Sequence, residues 1–239
     1  LVSSIEITEI SKLVENTFRD VNVAFANEVG MVCEKYGIDV KELIEVCNSH
    51  PRVNLLSPGP GVGGPCLPKD PYLLLNPQNG VKYDSKLINY SRKINDFMPT
   101  HVTKLVESEL VKKNKQISKS NILIFGTSYK ANVSDTRLAP SKEIISKLVE
   151  KGAKVTVFDP VSQESFGEKK IEQISQSNTN YDAIVILTDH DEFKKLSVSE
   201  IKKVLKDNSV MIDTRRIYSK VEVEELGINY SSVGYIKQT

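Results

Sequence analysis

Apolar residues recur at steps of three and four through the first part of the chain: Ile7, Ile10, Val14, Phe18, Val21, Phe25, Val29 and Val32. That spacing gathers them on one side of a single long amphipathic helix. Gly37 stands where a left-handed residue would stop it. Asp39 has the chemistry of an N-cap for a short helix over residues 40–47. Residues 50–70 hold Pro51, Pro58, Pro60, Pro65 and Pro68 together with Gly59, Gly61, Gly63 and Gly64, which predicts loop. Pro68 suits the first turn of a helix running on through Leu73. Asp84 is placed to cap another long helix that buries Leu87, Ile88, Ile94, Phe97, Val102, Leu105 and Leu110, kinked or broken at Pro99.

The period then changes. Short apolar runs at 121–125, 154–159, 183–187 and 210–213 read as buried parallel strands, the first ending in Gly126. An amphipathic stretch at 141–150, closed by Gly152, lies between the first two. Strands alternating with helices predict βαβ units and a doubly wound parallel sheet. The polar, lysine-rich segment 112–120 marks the change. The expected class is α/β: an all-helical domain over 1–114, then a Rossmann-like sheet domain over 117–239.

Composition narrows the classes. A chain of 239 residues can hold two modest domains. Its net charge of +1 gives no field favouring nucleic acid or an anionic membrane, and neither partner is expected. No apolar run approaches the ~20 residues of a membrane span. The three cysteines, Cys33, Cys47 and Cys66, form no CxxC pair, which points to a reducing, cytoplasmic compartment. The three histidines lack metal-ligand spacing, so no metal site is expected. The opening residues include no methionine and no signal-like core, and the chain is expected to begin in mid-protein.

Candidate chemistry concentrates in Ser57-Pro-Gly-Pro-Gly-Val-Gly-Gly-Pro-Cys-Leu-Pro-Lys-Asp70. Gly59, Gly61 and Gly64 match GxGxxG, but that fingerprint needs a strand before it and a helix opening within it. Prolines flank the glycines here, so a loop around a different ligand fits better. Cys66 has two readings: a small buried hydrophobe, as for Cys33 and Cys47, or a nucleophile activated at a helix N-terminus. Lys12 and Asn16 are four apart and share a helix face, either solvated or turned to the loop. Arg52, Lys130, Arg137, Arg215 and Arg216 lie in or beside loops. Gly126-Thr-Ser-Tyr-Lys130 and Asp213-Thr-Arg-Arg216 both follow strand ends, where ligands of open α/β sheets bind, which suggests an anionic ligand such as phosphate.

These residues resemble the nucleotide-sugar 6-dehydrogenases, the UDP-glucose/GDP-mannose dehydrogenase superfamily. Gly61-Val-Gly-Gly-Pro-Cys-Leu-Pro-Lys-Asp70 resembles the family's catalytic loop. Lys12-Leu-Val-Glu-Asn16 with Phe25-Ala-Asn-Glu28, and Arg92-Lys-Ile-Asn95 with Met98-Pro99, resemble its central helices. Residues 126–130, Ser134-Asp-Thr-Arg137 and 213–216 resemble its C-terminal domain. His50-Pro-Arg-Val-Asn54 and the glycine run are most similar to the UDP-N-acetylmannosamine branch, from which Pro65 departs.

The resemblance implies NAD-dependent oxidation of a sugar C6 alcohol to a carboxylate in two hydride transfers, as in polysaccharide biosynthesis. It casts Cys66 as the nucleophile forming a thiohemiacetal and then a thioester. Lys12 and Asn16 become oxyanion-stabilising groups, and Asp70 the carboxylate for proton transfer and hydrolysis. Gly59, Gly61 and Gly63 would wrap the UDP-hexose, with Lys130 and Arg215 on its nucleotide side. Arg52 would reach the substrate of the neighbouring subunit in a homodimer formed through the central helices, and Arg137 would lie nearer the NAD cofactor. The family's NAD-binding domain precedes these parts, so the chain is expected to lack it and to be inactive alone. The rivals are a non-catalytic UDP-sugar-binding and dimerisation module and, more weakly, a hydroxyacid-type dehydrogenase.

Overall fold

The computed structural model describes residues 2–76, 83–177 and 180–236. Helix α1 (Ile5–Tyr36) begins at Ser4, whose hydroxyl accepts the Ile7 N–H, and ends at Gly37. Asp39 caps α2 (Val40–Asn48). A six-residue helix, α3 (Asp70–Leu75), follows the proline-rich loop. Ser85, rather than Asp84, caps α4 (Lys86–Lys112). Pro99 neither breaks nor ends α4. Its ring removes one N–H from the helix ladder, and the Asn95 carbonyl, four residues earlier, borders the loop at Gly61 instead.

Six strands follow: β1 (Asn121–Phe125), β2 (Lys154–Phe158), β3 (Lys169–Ile171), β4 (Tyr181–Ile186), β5 (Leu205–Asp213) and β6 (Asn229–Ser231). They form one parallel sheet in the order β3-β2-β1-β4-β5-β6, the doubly wound arrangement. Helices α5 (Pro140–Glu150), α6 (Asp191–Lys194), α7 (Val198–Lys202) and α8 (Lys220–Glu225) connect them. The edge strands β3 and β6 have three residues each, too few for a sequence period to show.

Apolar cores cover both faces of the sheet. On one, Val102, Val106 and Leu110 of α4 join Ile144 and Leu148 of α5 over Ile122, Ile124, Val185 and Ile212. On the other, Phe125, Phe158 and Phe193 form an aromatic cluster with Tyr181, Met211 and Tyr230 nearby. Helix α4 therefore packs on α1 with one part and on the sheet with another.

The apolar stripe of α1 lies opposite to where a single-chain core would put it. Ile7, Ile10, Val14, Phe18, Phe25 and Val32 are 46–66% exposed, and Val21 and Val29 are half-buried. The buried side is Asn16, Thr17, Asp20, Ala24, Ala26, Asn27, Gly30 and Cys33. Small and amide side chains let α4 and the loop approach α1 closely, and the large apolar residues are left outside. Leu87 and Phe97 on α4 are exposed in the same way.

A buried polar chain fixes α1, α4 and the loop together. Arg92 Nη1 donates to Asp20 Oδ1 at 2.5 Å, and Arg92 also pairs with Asp96. Asn95 Nδ2 donates to the same Asp20 oxygen at 2.9 Å. Asn27 Nδ2 donates to Asn95 Oδ1 at 3.0 Å, and Asn27 Oδ1 accepts the Gly59 N–H at 2.8 Å. Burial opposes the charge on Arg92, but Asp20 and Asp96 outweigh it and hold the guanidinium above its usual pKa. This network accounts for Asn27 within Phe25-Ala-Asn-Glu28 and for Arg92 and Asn95 within the α4 motif.

Candidate active site

Three parts of the fold meet at the cysteine loop. Helix α1 contributes Lys12, Asn16, Arg19 and Val23, positions that share one helical face. The loop contributes Ser57, Gly59, Gly61, Gly63, Gly64 and Cys66. The turns beyond the carboxyl ends of β1 and β5 contribute Tyr129, Lys130 and Arg215. Together they line an open cleft of about 460 Å³. A larger cleft of about 630 Å³, beside α7 and α8, holds none of these residues.

Cys66 is exposed and carries a free thiol. Its carbonyl accepts the N–H groups of Lys69 and Asp70, both at 2.9 Å, closing a turn that leads into α3. The helix starts at Asp70, not at Pro68, with Pro71 in its first turn. The thiol therefore sits before that helix rather than at its N-terminus, and any activation of it rests on the cleft. Asn16 is 5% exposed and donates from Nδ2 to Asp70 Oδ2 at 2.6 Å. Asp70 thus orients the Asn16 amide and leaves its second amide hydrogen for a ligand. Lys12 pairs with Glu15 at 3.1 Å, but both side chains are exposed. Such a pair holds its partners weakly, and the ammonium can turn to the cleft.

Arg215 marks the other end. Its Nε donates to the Leu187 carbonyl at 3.0 Å, and its backbone N–H to Asp213 Oδ1 at 3.1 Å. The nearest carboxylate pairing is with Asp189, at 3.9 Å. Burial pulls the guanidinium below its ordinary pKa, and Asp189 and Asp213 restore it only in part. A cation so weakly compensated favours an anionic ligand. Arg216 instead braces the fold. It pairs with Asp39 at the start of α2, and its Nε donates to Ser232 Oγ at 2.8 Å.

Arg52 is exposed and does not line the cleft of its own chain. The Arg137 side chain is bound to Asp135 through Nε and Nη2, which raises the guanidinium's pKa. Its backbone carbonyl, not its side chain, meets the loop, accepting the Gly64 N–H at 2.9 Å. Sequence reasoning missed Arg19 and Val23 as lining residues, and named Ser57 and Tyr129 only within longer candidate segments. Arg19 carried a usable signal, being seven residues after Lys12 and three after Asn16.

The sheet's first crossover does not fit a dinucleotide. A Cβ on Gly126, the single glycine there, would lie 2.4 Å from Thr188 Cβ. Asp159, at the end of β2, is buried and already engaged. Its oxygens accept the N–H groups of Thr127, Val161 and Ser162 at 2.7–2.8 Å, and His190 Nε2 lies 3.4 Å away. No oxygen is left over for a ribose. Among the described residues, no group of three His, Cys, Asp or Glu could hold a metal ion, and no helix is long and apolar enough to cross a membrane.

Asp159 makes a pH prediction. Burial opposes its charge, but the His190 contact and the three N–H donors prevail and lower its pKa to about 2. A depressed acid stabilises the fold above its unfolded pKa of ~3.9 and loses that contribution as pH falls through the folded value. Asp213 has the opposite sign: burial raises it to about 6, so the stability gained as pH falls through that value levels off only below the unfolded pKa of ~3.9 and offsets about 0.5 kcal/mol of the loss below pH 4. Urea unfolding of the wild type is expected to lose about 2 kcal/mol between pH 4 and pH 2 through Asp159, and Asp159→Asn to remove that loss. An equally steep acid limb in the variant would refute the assignment.

Residues 6–97 match the central domain of the UDP-glucose/GDP-mannose dehydrogenase family, and residues 123–220 match its UDP binding domain. The chain is 42% identical over 229 residues to a UDP-N-acetyl-D-mannosamine dehydrogenase of Methanococcus vannielii, covering 95% of this chain and 52% of that protein. It is 36% identical to an NDP-N-acetyl-D-galactosaminuronic acid dehydrogenase of Ralstonia solanacearum, covering 92% and 50%. Its fold matches the solved UDP-D-ManNAc dehydrogenase of Pyrococcus horikoshii with a TM-score of 0.83 at 38% identity, over 95% of this chain and 51% of that one. The chain spans about half the length of the curated relatives it matches. With its helical part and its sheet matched in order to two domains of one family, the chain belongs to the UDP-glucose/GDP-mannose dehydrogenases.

Proposed function

We propose that this chain supplies the thiol and nucleotide-sugar half of an NAD-dependent UDP-hexose 6-dehydrogenase, with UDP-N-acetylmannosamine as substrate. The observation that carries the reading is one cleft lined by Lys12, Asn16, Cys66, Lys130 and Arg215. Asn16 and Asn27 are eleven residues apart on α1, or about 16 Å of helix, and Asn27 holds Gly59 beside Arg215. That length suits an extended hexose diphosphate with its C6 at the thiol and its diphosphate at Arg215 and Lys130. Arg19, between these ends, reaches the hexose or the diphosphate.

NAD, when bound, takes up the hydrides. The sheet offers it no place at the first crossover, and the remaining steps belong to this chain's own residues. The Cys66 sulfur adds to the C6 aldehyde: a C–S bond forms, the carbonyl π bond breaks, and the thiol proton ends on oxygen. Lys12 and the second amide hydrogen of Asn16 stabilise the developing oxyanion. Asp70, through its hold on Asn16, sets that donor and takes a proton from water when the thioester is hydrolysed. The product is a UDP-uronate, an activated unit for polysaccharide synthesis. Arg52 serves the cleft of a second copy, and Arg137 faces the cofactor side.

The test is alkylation of Cys66 by iodoacetamide, followed by peptide mass spectrometry. Saturating UDP-N-acetylmannosamine is expected to slow it at least fivefold. An unchanged rate, with no binding heat in calorimetry, would sink the reading.

The exposed stripe of α1 supports the dimer, since a second copy in two-fold arrangement would cover it. Phe18→Asp is expected to convert a dimeric wild type to monomers in sedimentation. A monomeric wild type, or a variant that stays dimeric, would count against that interface.

A further inference from the structure

We infer that Tyr129 is a positioning residue for the nucleophile loop: its ring is the wedge that sets the height of Gly63 and Gly64 and, through them, the place of Cys66. The inference rests on the reading of Cys66 as nucleophile. A Cβ on Gly63 would stand 2.8 Å from Tyr129 Cβ and 2.7 Å from the Leu138 carbonyl oxygen. A Cβ on Gly64 would stand 2.8, 3.0 and 3.1 Å from three carbons of the Tyr129 ring. The two glycines therefore lie in direct backbone contact with this side chain. Only Pro65 separates Gly64 from Cys66, and its ring fixes φ. A shift of Gly64 passes to the thiol with little slack.

The wedge is itself anchored. Tyr129 follows buried residues at the carboxyl end of β1. Thr127 donates its N–H and hydroxyl to Asp159. Ser141 Oγ donates to the Thr127 carbonyl at 2.5 Å, and Thr188 Oγ1 to the Ser128 carbonyl at 2.7 Å. The Tyr129 N–H is held by the Asp135 carbonyl at 3.2 Å, within the same turn whose Arg137 carbonyl binds the Gly64 N–H. The sheet edge thus dictates where the thiol stands relative to Asn16 and Lys12 on α1. Among the described residues the Tyr129 hydroxyl has no hydrogen-bond partner, so the ring carries this role and the hydroxyl does not.

The test compares two nucleotides by calorimetry: UDP-N-acetylmannosamine and its C6 aldehyde. Their affinity ratio reports C–S bond formation, which a mere substrate contact would not change. Tyr129→Ala is expected to lower the ratio at least tenfold, the aldehyde losing at least ten times more affinity than the alcohol. Tyr129→Phe should keep both within twofold. Should the alanine variant not fold, Tyr129→Leu, which fills the space without a flat ring, is expected to lose the ratio in its place. An unchanged ratio in the folded Ala or Leu variant, equal weakening of both nucleotides, or loss in Tyr129→Phe would overturn the inference. A wild type with no preference for the aldehyde overturns it too, by removing the nucleophile on which it rests.

Discussion

Cys66→Ser is expected to weaken binding of the UDP-hexose 6-aldehyde about 1000-fold, or about 4 kcal/mol, and to leave affinity for the parent alcohol unchanged. The alcohol offers the sulfur no electrophile, so on the proposed function its affinity is expected to come from Arg215, Lys130 and the glycine loop. The aldehyde gains a C–S bond as well, made nearly unimolecular by the cleft. Serine keeps the size and polarity of the side chain but is a far weaker nucleophile at neutral pH. Cys66 is exposed and outside the apolar clusters, so the change leaves the cores intact. Equal losses for both nucleotides would reduce Cys66 to a binding contact. No loss for either would remove it from the chemistry.

Arg215→Ala is expected to lower affinity for UDP by about 100-fold or more, roughly 3 kcal/mol, as two charge-assisted hydrogen bonds to diphosphate disappear. Among the described residues, the side chain's one hydrogen bond is to the Leu187 carbonyl, so the substitution is expected to cost the fold little. Its neighbour provides the contrast. Arg216→Ala breaks the tie to Asp39 and the hydrogen bond to Ser232, and is expected to lower the melting temperature while UDP affinity changes less than threefold. Calorimetry with UDP and thermal unfolding on both variants separate the two roles. Weak binding by Arg216→Ala with normal binding by Arg215→Ala would invert the assignment.

The sequence made the helix periods, the proline-glycine loop and four of the six strands legible, because each has a strong local signature. It did not reveal which way the α1 stripe points. A period fixes which residues share a face, but not which face the rest of the chain covers. Asn16, Asp20 and Asn27 look like a polar side in the sequence and are the buried one in the fold, since they bond to α3, α4 and the loop. The clustering of Lys12, Asn16, Cys66, Lys130 and Arg215 was legible only through family resemblance, because they come from segments far apart in sequence. Tyr129 was not singled out for a related reason: its contact is with glycine backbone, and no side-chain pattern signals that. Helix α3 starts two residues later than Pro68 suggests, because Pro68 and Pro71 offer competing starts.

Helix α4 gives the fold a mechanical property. Its residues Met98, Val102, Leu105, Val106 and Leu110 sit in the same apolar cluster as the sheet residues Ile122, Ile124 and Val185, while Arg92 and Asn95 are bound to α1. One rigid rod is thus rooted in both halves. A protease that nicks the polar segment after Lys112 would leave two pieces still clasped together, and amide exchange in α1 and in the sheet should slow and quicken in concert. The two halves are therefore expected to melt as a single cooperative body, with one calorimetric transition rather than two.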